Sequence, residues 1–385
     1  MCMRYQVVYL HDWKDIRMRY NKDDRVVLTL DAGGTNLVFS AIQGEKEIVE
    51  PIVLPSHGDN LELILRSIVD GFSKVQAKLE DKAAAISFCF PGPADYERGI
   101  IGDLVNLPCF RGGVALGSML EDTFKMPAFM NNDGDLFAYG EAIAGILPEI
   151  NGLLKSQESP KSYQNLLGAT LGTGFGGGIV TSGNLLVGDN SAQGEINRMR
   201  NSLYHECAAE ESVSIRGVQR VYSREAGIST TECPSPEEIF EIGMRKRKGD
   251  RKAAVMAFEE LAIVAGDALA AAVTLVDGLI VIGGGLSRAS PLFLQKMVDQ
   301  MNKKYKTMDG SSLEHLEIKV FNLNNKDDLK GFVEGNPCEI MVPFSNRKIR
   351  YDSLKRVGVG ISKLGTMRAV SVGAYTFALD RLDGR

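Results

Sequence analysis

The chain has 385 residues, 44% of them hydrophobic and 24% charged, which are ordinary globular values and enough for one large domain or two. A net charge of −5 and a pI near 5.6 argue against a large nucleic-acid footprint. No apolar run approaches the ~20 residues that span a bilayer, and residues 1–25 lack the apolar block of a signal peptide. Six cysteines without paired spacing fit a reducing, cytoplasmic setting better than a disulfide framework.

In chain order, residues 1–24, with His11 and Trp13, carry no clear period and read as an N-terminal extension. Val26 to Leu30 is an apolar strand run, then comes Asp31-Ala32-Gly33-Gly34-Thr35-Asn36, then a second strand run from Leu37 to Ile42. Paired glycines let a ligand approach main-chain N–H groups. The acid before them and the hydroxyl after them suit a magnesium-bound phosphate, with Asp31 towards the metal and Thr35 towards the oxygens. Alone, the hexapeptide reads as well as a simple hairpin turn with an Asp cap. Glu47 to Leu54 is a further strand, and Asn60 caps an amphipathic helix with Leu61, Ile64, Leu65, Ile68, Phe72 and Val75 on one face. Ala83 to Phe90 is a buried strand stopped by Pro91-Gly92-Pro93, and 95–113 is loop-rich around Asn106-Leu107-Pro108. Val114 to Phe124 reads as helix, Ala128 to Met130 as a short strand, and Leu136 to Ala144 as helix after Asn131-Asn132-Asp133. This β/α alternation points to an α/β layer fold.

The second half repeats the opening device. Leu166 to Leu171 is a strand, Gly172-Thr173-Gly174-Phe175-Gly176-Gly177-Gly178 a glycine turn, and Ile179-Val180 a return strand, which points to internal duplication. Ser212 to Ala226 and Ala253 to Val276 read as helices, the second apolar enough to be buried. The basic run Arg245 to Lys248 reads as a solvated helix end or loop. Leu279 to Ile282 is a strand before a third glycine turn, Gly283-Gly284-Gly285. Residues 302–358 are polar and irregular, with strands at Leu316 to Phe321 and Ile340 to Pro343, and Met367 to Leu382 is a helix.

Three glycine turns, each directly after an apolar strand, fit neither the Rossmann fingerprint nor the Walker motif. They suit an ATP cradle of two facing hairpins, with the third turn against the adenosine and backbone N–H groups holding phosphate. Asp133, at a strand end before a helix, is the candidate reacting carboxylate. A hydroxyl phosphorylation needs an ionised acceptor for the proton within hydrogen-bond reach. By itself the Asn131–Asp133 segment reads as a helix cap, and the glycine hairpins tip it towards catalysis. Glu195, in Gly194-Glu195-Ile196-Asn197-Arg198, and Glu210 fit polyol recognition, although each taken singly is an ordinary solvated charge.

These blocks together make the chain resemble the ROK family (repressors, open reading frames and kinases) over about residues 26–382. The resemblance rests on Asp31 to Asn36, Pro91-Gly92-Pro93, Asn106-Leu107-Pro108, Asn132-Asp133 with Gly140-Glu141-Ala142, Gly172 to Gly178, Gly194-Glu195-Ile196 and Ile282 to Gly285, in the family's order. It implies a duplicated actin-like, hexokinase-like ATPase fold of two α/β domains with a cleft between them. The expected division is a small domain at 25–134 joined by the C-terminal helix at 367–385, and a large one at 135–366. It also implies an ATP- and magnesium-dependent sugar 6-kinase and a homodimer. Asp133 then matches the family's base, Gly92, Asn106, Asn132, Glu195 and Glu210 match the sugar side, and Asp31 the magnesium-associated carboxylate. Gly33, Gly34, Thr35, Asn36, Gly172, Thr173, Gly174, Gly283, Gly284 and Gly285 fall on the nucleotide side. One departure stands out. Asn197-Arg198 replaces the family's Gly-His, and His205 with Cys207 supplies at most two of the four ligands of a structural zinc, so no zinc site is expected. Arg198 is expected to contact substrate or to stabilise the shortened loop.

The leading expectation is γ-phosphate transfer to the 6-hydroxyl of glucose or N-acetylglucosamine, with N-acetylmannosamine, mannose or fructose as alternatives. The competing class is a sugar-responsive regulator. A 24-residue leader without strong basic character is too short for the winged-helix domain that a repressor would place before the core. No nucleic-acid or membrane partner is expected.

Overall fold

A computed structural model describes residues 20–32, 36–92, 94–102 and 108–384. The first sheet is built from β1 (Val27–Ala32), β2 (Asn36–Gln43), β3 (Lys46–Glu47) and β4 (Ile52–Pro55), followed by helix α1 (Leu61–Gln76) and β5 (Ala85–Cys89). A three-stranded excursion of β6 (Ala94–Asp95), β7 (Ile100–Ile101) and β8 (Val114–Ala115) leads to α2 (Leu116–Phe124) and β9 (Ala128–Asn131). The sheet order is β3-β2-β1-β5-β9, with β4 also on β2. β1 and β2 are antiparallel, whereas β1, β5 and β9 run parallel. Buried side chains from β1, β2, β5, α1 and α2, including Leu28, Phe39, Phe72 and Phe88, form the core of this half. Asn60 starts α1 as its composition requires, its side chain accepting the Leu63 N–H.

Helices α3 (Asp133–Ala144) and α4 (Ile146–Ser156) carry the chain into the second sheet, β10 (Leu166–Leu171), β11 (Phe175–Thr181) and β12 (Asn184–Leu185). Then come α5 (Ile215–Ala226), α6 (Pro236–Gly243), α7 (Arg251–Val276), β13 (Leu279–Gly283) and α8 (Ser290–Met301). The remainder is β14 (Lys304–Lys306), β15 (Ser312–Glu314), β16 (Lys319–Asn322), α9 (Lys326–Glu334), β17 (Pro337–Met341), β18 (Lys348–Asp352), β19 (Arg356–Ile361) and α10 (Thr366–Leu382). The second sheet runs β12-β11-β10-β13-β19-β16. It repeats the first: an antiparallel pair, β10 with β11, then parallel neighbours β13, β19 and β16. Helix α7 is buried along its length, as its Ala-rich run demands, and packs with α5 and α8.

The region after residue 302 is more ordered than its polarity implies. β14–β15 and β17–β18 are two-stranded ribbons apart from the main sheets, while β19 is an interior strand of the second sheet. The expected strand at 47–54 is two short ones, β3 and β4, separated by a bend at buried Val49 followed by exposed Glu50 and Pro51.

The two halves are joined by α3 and α10, which cross with their backbones almost in contact. A Cβ on Gly140 would lie 1.9 Å from the Ala369 carbonyl oxygen, and one on Gly373 would lie 1.9 Å from that of Leu136. Only glycine fits at either place. The far end of α10 meets the start of the described chain, where the Tyr20 hydroxyl donates to Asp380 at 2.6 Å and Arg25 pairs with Asp383 at 2.7 Å.

Candidate active site

Parallel strands present their carboxyl ends on one edge, where an α/β sheet binds its ligands. In the first sheet, Asp31 is in register with Cys89 on β5, and Cys89 with Asn131 on β9. The register lines up Asp31, the Cys89 thiol and the Asn131-Asn132-Asp133 segment. The Cys89 Sγ lies 3.6 Å from an Asp31 carboxylate oxygen. Burial, together with Asp31 and Asp133, pushes that thiol well above its ordinary pKa.

Asn132 and Asp133 open α3. Asn132 is its N-cap, and its side-chain oxygen accepts the Gly134 N–H at 2.7 Å. The same N–H lies 2.9 Å from Asp133 Oδ1, so the carboxylate is oriented by the helix's own first turn. Asp133 is accessible from the open side of the strand ends and enclosed by protein elsewhere. That enclosure, aided by the Asp31 charge and opposed by the Gly134 N–H, raises its pKa above the ordinary carboxylate value. A helix N-terminus favours the anion, so the two influences oppose each other.

Three further side chains close this corner, none of them singled out by the sequence. Buried Tyr96 donates its hydroxyl hydrogen to the Phe90 carbonyl at 3.1 Å and accepts from Asn132 Nδ2 at 3.3 Å. Burial, and then the charges of Asp133, Asp135 and Glu195, drive the phenol's pKa up. The Tyr96 N–H also donates to Ser191 Oγ at 3.1 Å, tying the first half to the loop before Glu195. Asp135, buried on α3, accepts from Gln193 Nε2 at 2.6 Å, and Gln193 Oε1 in turn takes the Gly188 N–H. The helix bearing Asp133 is thus fastened to the loop bearing Glu195. Glu195 and Arg198 are both exposed, on either side of Ile196, and the nearby Asn197 Oδ1 is buried without a hydrogen-bond partner.

Glu210 arrives from a different direction. One oxygen accepts the Phe175 N–H at 3.1 Å, and the other pairs with Arg216 at 3.0 Å. A Cβ on Gly174 would lie 2.6 Å from that carboxylate, so Glu210 rests directly on the glycine turn. The turn itself is compact. The Gly172 N–H donates to the Gly174 carbonyl, Thr173 stands exposed at the tip, and the Gly172 carbonyl accepts the Ile215 N–H. Behind it, β11 runs against α3 so closely that a Cβ on Gly178 would lie 2.2 Å from the Gly134 carbonyl.

Gly283 ends β13 opposite Thr170, which brings the third glycine turn beside the second. Gly284 has φ +83°, donates its N–H to Thr366 Oγ1 at 2.8 Å, and leaves no room for a Cβ against Leu171. Gly284 and Gly285 line a cavity of about 870 Å3 with Ile215, Pro236, Phe240 and Arg288, room for a nucleoside. Among the other expected residues, Asn36 is exposed at the start of β2, and Gly92 is exposed with its Cα side against the Tyr96 hydroxyl. Gly33, Gly34, Thr35 and Asn106 lie outside the described residues. Among the described residues no group of three or more His, Cys, Asp or Glu side chains is placed to hold a metal ion, and Cys207 is exposed.

The ROK family model matches residues 27–332. The chain belongs to the ROK family. It is 27% identical over 326 residues to the glucokinase of Halalkalibacterium halodurans, covering 78% of this chain and 92% of that one. It is 28% identical over 277 residues to the N-acetyl-D-glucosamine kinase of Vibrio vulnificus, covering 67% and 83%. The crystal structure of a glucokinase from Parabacteroides distasonis is 54% identical, with a TM-score of 0.86, covering 94% of this chain and 99% of that one. The ROK family glucokinase of Streptomyces griseus, solved with glucose and AMPPNP, is 18% identical with a TM-score of 0.58, covering 91% and 98%. This last likeness concerns the fold alone, the actin-like ATPase architecture of the ROK sugar kinases.

Proposed function

We propose that this ROK protein is an ATP-dependent hexose kinase that phosphorylates the 6-hydroxyl of glucose or N-acetylglucosamine. The observation that carries the reading is the placement of Asp133: it is the first residue of α3 at the carboxyl ends of parallel strands, with Asp31 as a neighbouring charge. In the reaction, the sugar O6 forms a bond to the γ-phosphorus as the bond from phosphorus to the bridging β-oxygen breaks. ADP carries away that electron pair, and the hydroxyl proton passes to the Asp133 carboxylate. The raised pKa brings Asp133 closer to that of a base working near neutrality, and the Gly134 N–H keeps one oxygen oriented.

On the sugar side we place Gly92, Asn106, Asn132, Glu195, Arg198 and Glu210, with the unpartnered Asn197 oxygen as a further acceptor for a hydroxyl hydrogen. The turns at Gly33, Gly34, Thr35 and Asn36, and at Gly172, Thr173 and Gly174, are assigned to the phosphates, and Gly283, Gly284 and Gly285 to the nucleoside cavity. Asp31 would hold magnesium, most simply through water, and the ion would neutralise charge on the phosphates. Residues 25–134 with 367–385 form one proposed lobe and 135–366 the other, and two copies are proposed to form a homodimer. Five unpaired cysteines among the described residues support a cytoplasmic setting.

The test is ADP release with Mg-ATP across hexoses and N-acetylhexosamines. Rapid release with glucose or N-acetylglucosamine is expected. Preference for N-acetylmannosamine, mannose or fructose would replace the substrate, and tight sugar binding without turnover on any of them would replace the enzyme with a sugar sensor.

A further inference from the structure

Between the turn that carries Arg198 and the turn that carries Glu210 the chain makes an excursion, 199–209, whose ends are pinned by backbone bonds. The Ala209 N–H donates to the Met199 carbonyl at 2.7 Å and the Asn201 N–H to that of Cys207 at 2.9 Å. Beneath it lies a buried polar hub. Asn201 is fully buried; its oxygen accepts the Leu203 and Tyr204 N–H groups, and its Nδ2 donates to Ser212 Oγ at 2.9 Å. Ser212 donates in turn to Glu260 Oε1 at 2.9 Å. Glu260 projects from the interior of α7, only 7% exposed. Its two oxygens also accept from Arg220 at 3.1 Å, Tyr204 at 3.0 Å and Arg224 at 3.3 Å. The Arg220 guanidinium lies over the Tyr204 ring, 5.5 Å from its centre.

A carboxylate inside an Ala-rich helix is unfavourable unless several donors meet it, and here they come from the excursion, its exit and α5. We infer that Glu260 is a positioning residue for the sugar side of the site. It holds the 199–212 segment from beneath by accepting from the Tyr204 and Ser212 hydroxyls, and so sets where Arg198 and Glu210 stand. The inference rests on the proposed sugar-kinase reading for its consequence, although the fastening itself stands apart from it. Glu260 touches no reacting atom; it acts through Ser212, Asn201 and Tyr204. Its replacement by glutamine keeps the shape and turns one acceptor into a donor facing donors, so the hub must loosen.

The test uses Glu260→Gln and the milder Tyr204→Phe in the full-length protein. Both are expected to raise the sugar KM, Glu260→Gln by ~10-fold or more through misplaced binding groups, while the ATP KM stays within about twofold. Amide hydrogen exchange across 199–212 in the sugar-free protein should quicken in both variants, and added sugar should slow it again. Loss of thermal stability with an unchanged sugar KM would overturn the inference, as would unchanged exchange in Glu260→Gln. If Glu260→Gln fails to fold, Tyr204→Phe decides by the same two readouts. Should wild type phosphorylate no sugar, the kinase reading fails by itself, and the exchange experiment still decides whether Glu260 fastens the segment.

Discussion

Asp133 is raised in pKa mainly because protein encloses it, and secondarily because Asp31 shares the strand ends with it. Replacing it by Asn keeps the shape and removes the proton acceptor. Turnover should fall by orders of magnitude while the sugar dissociation constant, measured calorimetrically, stays close to wild type. Near-normal turnover would remove Asp133 from the chemistry. The same shift predicts a stability effect of known sign. With the folded-state pKa above the unfolded one, ionisation opposes folding. The penalty is absent below the ordinary carboxylate value of about 4 and grows as pH rises through the folded value. Asp133→Asn should therefore melt above wild type at pH 7, and the gap should close as pH falls towards 4. A second residue prediction concerns nucleotide. Thr366→Val removes the acceptor of the Gly284 N–H at 2.8 Å, so the ATP KM should rise several-fold, with the sugar KM unchanged. Asp31, Asn132, Asp133 and the glycines were legible as candidates because they sit in short blocks whose residue types suit phosphate and proton chemistry. Tyr96, Gln193, Asp135 and Thr366 were not, since their partners are distant in sequence: Tyr96 meets Asn132 and Ser191, and Thr366 meets Gly284.

At the scale of elements, the glycines of α3 and α10 decide how closely the two helices cross. A methyl at Gly373 has the Leu136 carbonyl 1.9 Å away, and backbone cannot yield as a side-chain tip can. Gly373→Ala should lower the urea midpoint by an amount corresponding to roughly 1–3 kcal/mol, and an unchanged midpoint would mean that the helices separate freely. The main strands and helices of the first half, and the long α7, followed from apolar runs and caps. Other elements did not, among them β6 to β8, α6, α8, α9 and the two ribbons after residue 302, and two of the missed ones show why. Helix α4 begins directly after Gly145 and has Pro148 in its first turn, where proline is tolerated but resembles a break. Strand β19 contains Gly358 and Gly360, which lower strand propensity. Their missing side chains leave space for Leu323 and Ile146, against which any Cβ would collide. Propensity there gave way to packing.

For the molecule as a whole, two sheets of like topology have α3 and α10 between them, and we propose that the halves close on a ligand. Small-angle scattering should show a smaller radius of gyration with sugar and a non-hydrolysable ATP analogue than without, and an unchanged radius would exclude closure as the step that shields the site from water. The placement of α10 has a further consequence, for biosynthesis. This helix packs on β1 and β5 and shares an apolar cluster with Val27, Ala85 and Cys89, yet it leaves the ribosome more than 200 residues after them. Residue 366 follows Cys89 by 277 residues and Val27 by 339, so at ~5–20 residues per second the delay is roughly 14–70 s. For that interval the nascent first half presents an uncovered apolar face, a substrate for holdase chaperones, and stalled chains ending before residue 366 should be captured by them while chains carrying α10 escape.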